Sequence, residues 1–227
     1  MDTSRLVDAE SCNSWTEAAA KSPTVSMARL AVPGKASGEF QKACGNLKGR
    51  RLPDAETHAR KAVQIYPDYP AAWVLLGQVL EAEDKKVDAR SACSHALGVD
   101  PDYVASYLCL AAFAAGDNDW DQVTRLSDQA LALDPLSDPY ALYYAADAGF
   151  HHHQLVQAEM KARNAVQLDT WHRMPELHML LANIYQAEGD AHNEAAQLRE
   201  FLKYAPNSKD APAVKTALAQ LSPQPAK

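Results

Sequence analysis

From Pro67 to Pro101 the sequence runs PDYPAAWVLLGQVLEAEDKKVDARSACSHALGVDP. Trp73, Leu76, Gly77 and Leu80 fall at i, i+3, i+4 and i+7, the spacing of one face of an α-helix. Ala89, Cys93 and Ala96 make a second stripe of this kind, and the polar Glu83-Asp84-Lys85 between the two marks a turn. The stretch therefore predicts two helices folded back on each other. Gly77 faces Ala89 and Ala96, and residues this small let helix axes approach at the short end of the usual packing distance. A bulky side chain at any of them would pry the pair open. Pro101 ends the second helix, because its nitrogen cannot donate and its ring pushes the preceding residue out of helical geometry.

The same punctuation recurs along the chain. Ile65-Tyr66-Pro67, Val99-Asp100-Pro101 and Leu133-Asp134-Pro135 place prolines 101 − 67 = 34 and 135 − 101 = 34 residues apart. Leu168-Asp169-Thr170 follows after 170 − 135 = 35, and Tyr204-Ala205-Pro206 after 206 − 170 = 36. A fixed period of this length is the signature of a repeat array.

Position by position, Trp73, Leu76, Gly77, Leu80, Ala89, Ala96 and Pro101 resemble the tetratricopeptide (TPR) motif. The copy before it carries Phe40, Ala43, Cys44, Leu47, Ala55, Ala59, Ala62 and Pro67; the copy after it Tyr107, Leu110, Ala111, Ala114, Val123, Ala130 and Pro135. A fourth reads Leu142, Ala145, Ala146, Gly149, Ala158, Ala162 and Ala165, and ends without the proline. The fifth reads His178, Leu181, Ala182, Tyr185, Gly189, Leu198, Phe201 and Pro206; Glu194 precedes the expected Ala195, which predicts a second helix shifted by one residue. The resemblance, to a bacterial-type TPR protein, implies an all-α, right-handed solenoid of five helix-turn-helix repeats, at about 37–67, 70–101, 104–135, 139–170 and 175–206. Ala213, Val214, Ala217, Leu218 and Leu221 form an apolar stripe behind Ser208, so 207–222 reads as a capping helix over the last repeat. Residues 1–36, broken by Pro23, Pro33 and Gly34, read as a partly flexible arm with Trp15 as an anchor, and 223–227 as a loose tail.

Charge narrows the function. A net charge of −7 and a pI near 5.6 argue against a nucleic-acid backbone as ligand and favour a basic or Lys-rich protein partner. No apolar run reaches the length a bilayer needs, which excludes membrane insertion, and no signal peptide is visible, which points to the cytoplasm unless a leader has been removed. Cys12, Cys44, Cys93 and Cys109 are too irregularly spaced for a zinc knuckle or a disulfide framework; the main reading is of small buried hydrophobes. GxSxG, the Walker loop, GxGxxG and HExxH are all absent, so neither an enzyme nor a cofactor is expected. His151, His153 and His192 fall at turns of successive repeats and are the weak candidates for a metal site, against the plainer reading of solvent-facing histidines in the His151-His152-His153 run.

In TPR stacks the first helices line a concave groove, and the resemblance places this groove at Val74, Gln78, Glu81, Leu108, Ala112, Tyr140, Tyr143, Asp147, Phe150, Met179, Asn183 and Gln186. Ala115 falls on the same stripe. Family members that clamp the acidic tail of heat-shock chaperones need Lys, Asn and Arg at fixed first-helix positions. The corresponding residues here include Gln41, Gly45, Leu75, Ala105 and Cys109, and no register supplies the cations. The groove's aromatic, amide and Met side chains suit an extended peptide or amphipathic helix instead. The expected function is thus a protein-interaction scaffold. The alternatives are a structural or self-associating module with its groove covered in cis, and an accessory subunit of a cell-envelope or secretion assembly.

Overall fold

The computed structural model describes residues 32–135 and 139–221. Most of the arm, Trp15 included, and the tail 223–227 lie outside the described residues, among which there are eleven α-helices and no strand. Helix α1 (Gly34–Lys48) packs on α2 (Leu52–Ile65), α3 (Pro70–Ala82) on α4 (Lys86–Val99), and α5 (Val104–Gly116) on α6 (Trp120–Leu133). Next come α7 (Pro139–His151) on α8 (Leu155–Leu168), and α9 (Glu176–Glu188) on α10 (Ala191–Tyr204). Helix α11 (Ala211–Leu221) packs on α10. The chain divides into two compact units, Met1–Ser137 with α1 to α6 and Asp138–Lys227 with α7 to α11.

One backbone device makes all five hairpins. Arg50, Asp84, Asn118, His153 and Gly189 have φ of 54, 62, 60, 59 and 75°, each two residues before its second helix. The next residue then bonds back to the carbonyl five positions earlier: Lys85 N–H to Leu80 O at 2.8 Å, Asp119 to Ala114 at 2.9 Å, Gln154 to Gly149 at 2.8 Å, Asp190 to Tyr185 at 2.9 Å. This left-handed cap satisfies the orphan carbonyls of the first helix and reverses the chain. Asp, Asn and His tolerate that conformation better than most side chains.

Polar ties then hold the helices to their loops and to the next hairpin. The Trp73 indole donates to Pro67 O at 2.7 Å and, 34 residues on, the Tyr107 hydroxyl to Pro101 O at 2.9 Å, so the large first-helix residue anchors its own entry loop. Lys85 reaches Glu56 of the preceding hairpin at 2.7 Å, and the Tyr185 hydroxyl donates to Glu159 at 2.7 Å. Where the fourth repeat lacks its proline, the Asp169 carboxylate accepts the backbone N–H groups of Arg173 (2.9 Å) and Met174 (2.8 Å) and shapes the entry to α9. The expected shift in the fifth repeat is absent. Glu194 itself occupies the fourth position of α10, the place of Ala89 in α4, and is buried there with Ala195.

The first unit's core runs through Phe40, Leu47, Ala55, Ala59, Leu76, Leu80, Ala89 and Cys93. An added Cβ on Gly77 would stand 2.5 Å from Cys93 Sγ and 3.0 Å from Ala89 O, so only glycine fits that crossing unmoved. Cysteine pairing corrects the sequence reading. Cys93 of α4 is bonded to Cys109 of α5 across a Cα–Cα distance of 6.0 Å, and Cys44 is also disulfide-bonded. Burial was legible for Cys93, but the bond joins neighbouring hairpins and depends on tertiary packing that spacing does not reveal. In the second unit Ala146, Ala158, Leu181 and Ile184 form the core, and Val214, Ala217, Leu218 and Leu221 of α11 cover Ala182, Leu198 and Phe201.

Candidate protein-interaction surface

The twelve expected groove positions divide sharply by burial. Val74 (1% exposed), Leu108 (8%), Ala112 (4%) and Asp147 (3%) are buried, which corrects their placement on an open surface. Val74 packs against Ala96, Tyr103 and Ala105, so it seals the second hairpin to the third. Helix α5 is apolar all round, as a helix buried on every side must be, and its residues Leu108, Ala112 and Ala115 are all within the interior. Gln78 and Glu81 on α3 are half-buried, and Glu81 is engaged in a contact within the chain.

On α7 the stripe Tyr140, Tyr143, Asp147 and Phe150 is chiefly structural. Tyr143 packs against two apolar clusters, one with Leu180 and Ile184 and one with Met174 and Leu177, and sets its ring edge-on to Tyr144 at 5.4 Å. Burial, and next the Asp147 carboxylate, push the Tyr143 phenol far above its usual range. Burial likewise raises Asp147 to about 6, and its Oδ2 has no hydrogen-bond partner, while Oδ1 lies 3.7 Å from His151 Nε2. Phe150 and Tyr140 are half-buried beside the same clusters.

The open positions lie on α9. Asn183 and Gln186 are exposed and Met179 half-buried, at i, i+4 and i+7, on the side of α9 away from the buried Leu177, Leu181 and Ile184. Two amides and a thioether offer donors, acceptors and a polarizable apolar contact with no fixed charge, which fits the backbone and side chains of an extended segment.

The histidines do not converge. His151, His153 and His192 are exposed, and among the described residues no three His, Cys, Asp or Glu side chains come together as a metal site. His153 holds the left-handed turn position, and burial lowers the His151 imidazole below its ordinary value.

Sequence reasoning missed Trp171. It stands 77% exposed in the loop between α8 and α9, beside His172, whose ring stacks on Tyr204 at 4.1 Å. A tryptophan directly after a repeat boundary was the available signal, since exposed Trp is the residue most enriched at binding hot spots. Two shallow pockets recur at matching places. One of about 400 Å³ is lined by Arg60, Val63, Gln64, Trp73 and Leu76, the other of about 290 Å³ by Arg163, Val166, Gln167, His178 and Leu181.

Helical hairpins at this spacing, each closed by a left-handed turn and crossing on small residues, match known structures. The first is a thermophilic TPR protein of Thermus thermophilus: TM-score 0.66, 19% identity, covering 81% of this chain and 99% of that one. The fold is that of the tetratricopeptide-repeat proteins. PilW, a type IV pilus biogenesis factor, shares the TPR fold with a TM-score of 0.69 and 16% identity over 83% of this chain and 91% of its own. A chain of the APC/C hetero-tetramer Cut9-Hcn1 matches with a TM-score of 0.76 and 18% identity, covering 94% of this chain and 40% of that one. No family model matches the sequence, and no curated protein matches it. Among the described residues no helix is long and apolar enough to cross a membrane.

Proposed function

We propose that the protein is a non-catalytic interaction scaffold whose second unit takes an extended protein segment along α9. The observation that carries this reading is the contrast on the first helices: Val74, Leu108, Ala112 and Asp147 are committed to the interior, while Asn183 and Gln186 face solvent with Met179 beside them. Exposed amides in a row satisfy a partner's backbone without the desolvation cost of a charge. Affinity capture from the source organism, followed by titration of the identified partner, tests it. The double variant Asn183→Ala, Gln186→Ala, both at exposed positions, should keep native helicity and weaken binding by about 1 kcal/mol or more. Unchanged affinity would remove α9 from the interface.

A second reading concerns compartment, and the Cys93–Cys109 bond favours it. Disulfides persist in oxidising compartments and are rare in the cytosol, so the protein works outside the cytoplasm as an accessory subunit of an envelope or secretion assembly. The similarity to a pilus biogenesis factor agrees with this role. Thiol trapping in intact cells tests it: blocked, oxidised cysteines are expected, and freely alkylated Cys109 would return the protein to the cytoplasm.

A further inference from the structure

The stretch Glu56–Gln64 of α2 and the stretch Glu159–Gln167 of α8 share glutamate, alanine, arginine, alanine, valine and glutamine at the same places, 163 − 60 = 103 residues apart. In each, the arginine, valine and glutamine line a pocket that Trp73 and Leu76, or His178 and Leu181, line from the next first helix. The parts are held alike in both. Glu56 takes Arg60 Nε at 2.7 Å and is itself bonded by Lys85 at 2.7 Å; Glu159 takes Arg163 at 3.2 Å and is bonded by the Tyr185 hydroxyl at 2.7 Å. Trp73 is tied through its indole N–H to Pro67 O and packs on His95 of α4, with ring centroids 4.1 Å apart. His178 is tied to Gln197 at 2.8 Å and stacks on Tyr204, both of α10. The junction between α4 and α5 lacks this frame, because Ser94, Leu97 and Gly98 stand there in the places of Arg60, Val63 and Gln64.

We propose that these pockets are two copies of one binding site, one in each unit, for a protein segment that sets an acidic residue beside a bulky apolar one. Among the described residues no acidic side chain lines either pocket; the charged groups that do are Arg60 and Lys61 in the first and Arg163 in the second. In a chain of net charge −7 that local polarity calls for a carboxylate. The overall charge at the same time disfavours a run of acids, so one carboxylate beside one apolar side chain is the better match. A guanidinium carries five N–H donors, so the bond to its glutamate orients it and leaves others for the ligand. Val63, Leu76 and the Trp73 ring form the apolar floor of the first pocket, and groups already fixed lose little freedom on binding. The first pocket is the stronger copy, since Asn164 stands in the second in place of Lys61 and His178 in place of Trp73. His178 and Leu181 are buried on the side of α9 away from the exposed Asn183 and Gln186, so this site is separate from the α9 face and does not depend on it.

The test is a nitrogen–proton NMR titration of the full chain with the peptide acetyl-Ser-Gly-Asp-Phe-Gly-Ser-amide, whose only carboxylate is the aspartate. Saturable shifts are expected at the Trp73 indole and the amides of residues 60–64 and, with lower affinity, at residues 163–167 and 178–181. Replacing the peptide's aspartate by asparagine, or Arg60→Gln in the protein, should weaken the first site by about tenfold. Arg60→Lys, which keeps the charge but not the fork, should recover part of that loss. Arg125→Gln, at an exposed position outside both pockets, should leave the affinity unchanged, and circular dichroism checks that each variant keeps native helicity. No saturable shift at the pockets, equal binding of the aspartate and asparagine peptides, or shifts confined to Asn183 and Gln186 would overturn the proposal. Shifts at Trp73 that follow protein concentration alone would overturn it in favour of a second copy of this chain.

Discussion

Gly77→Ala isolates the packing argument in a single methyl group. The added carbon would meet Cys93 Sγ at 2.5 Å, nearer than side chains tolerate, and the Ala89 carbonyl at 3.0 Å, tighter than an ordinary contact. Neither neighbour yields easily. The sulfur is held in its bond to Cys109, and the carbonyl belongs to the backbone of α4. Overpacking of this kind costs about 1–3 kcal/mol, against which alanine recovers up to about 1 kcal/mol of helix propensity. The net expectation is a loss of about 1–2 kcal/mol. Gly149→Ala is the control, because its Cβ would stand 3.5 Å from Ala158 Cβ, an ordinary contact, and only the propensity gain of up to about 1 kcal/mol remains. Urea unfolding followed by circular dichroism, with disulfides intact, reads both as midpoint shifts at constant slope. Equal or opposite ordering of the two variants would refute the assigned crossing of α3 on α4.

Asp147 gives a pH test. Its folded value of about 6 lies above the ordinary 3.8, so the native state binds its proton more tightly, and stability falls as pH rises from about 4 to about 6. The full penalty, on the order of 3 kcal/mol, persists above that range, so Asp147→Asn should stabilise the second unit at pH 8 and not at pH 3.5. An equal effect at both pH values would show that the carboxylate is not buried in its charged form. His153→Gly should raise stability by roughly 0.5–1 kcal/mol, since at φ of 59° even a tolerant side chain costs more than glycine; a loss in thermal unfolding would contradict the turn geometry. Tyr143→Ala, which removes a ring packed against two apolar clusters, should cost about 2–4 kcal/mol in chemical denaturation. An unchanged midpoint would instead make Tyr143 a surface contact.

The fold was legible because its signals are local and repeated. Trp73, Leu76, Gly77 and Leu80 announce a helix face within eight residues, and the proline spacing repeats the message along the chain. The surface was less legible, because periodicity identifies a face without saying what covers it. Val74 and Gln78 share a stripe, yet Val74 is sealed by Tyr103 and Ala105 from the next hairpin. Asp147 reads as a groove carboxylate by spacing and is buried by the apolar neighbours of α7. The Cys93–Cys109 bond joins residues 16 apart on helices of different hairpins, a proximity that only the stacking creates. Glu194 in a small-residue position misled the register by one, since the sequence weighs residue type before helix start.

The central claim is that partners dock on α9 of the second unit, and a hydrogen-exchange footprint of the purified complex addresses it most directly. Protection on binding should concentrate in Glu176–Glu188, with α3 and α5 unchanged because Val74, Leu108 and Ala112 are already buried. Protection confined to α8, α10 or the Trp171 loop, with α9 exchanging as in the free protein, would contradict the account.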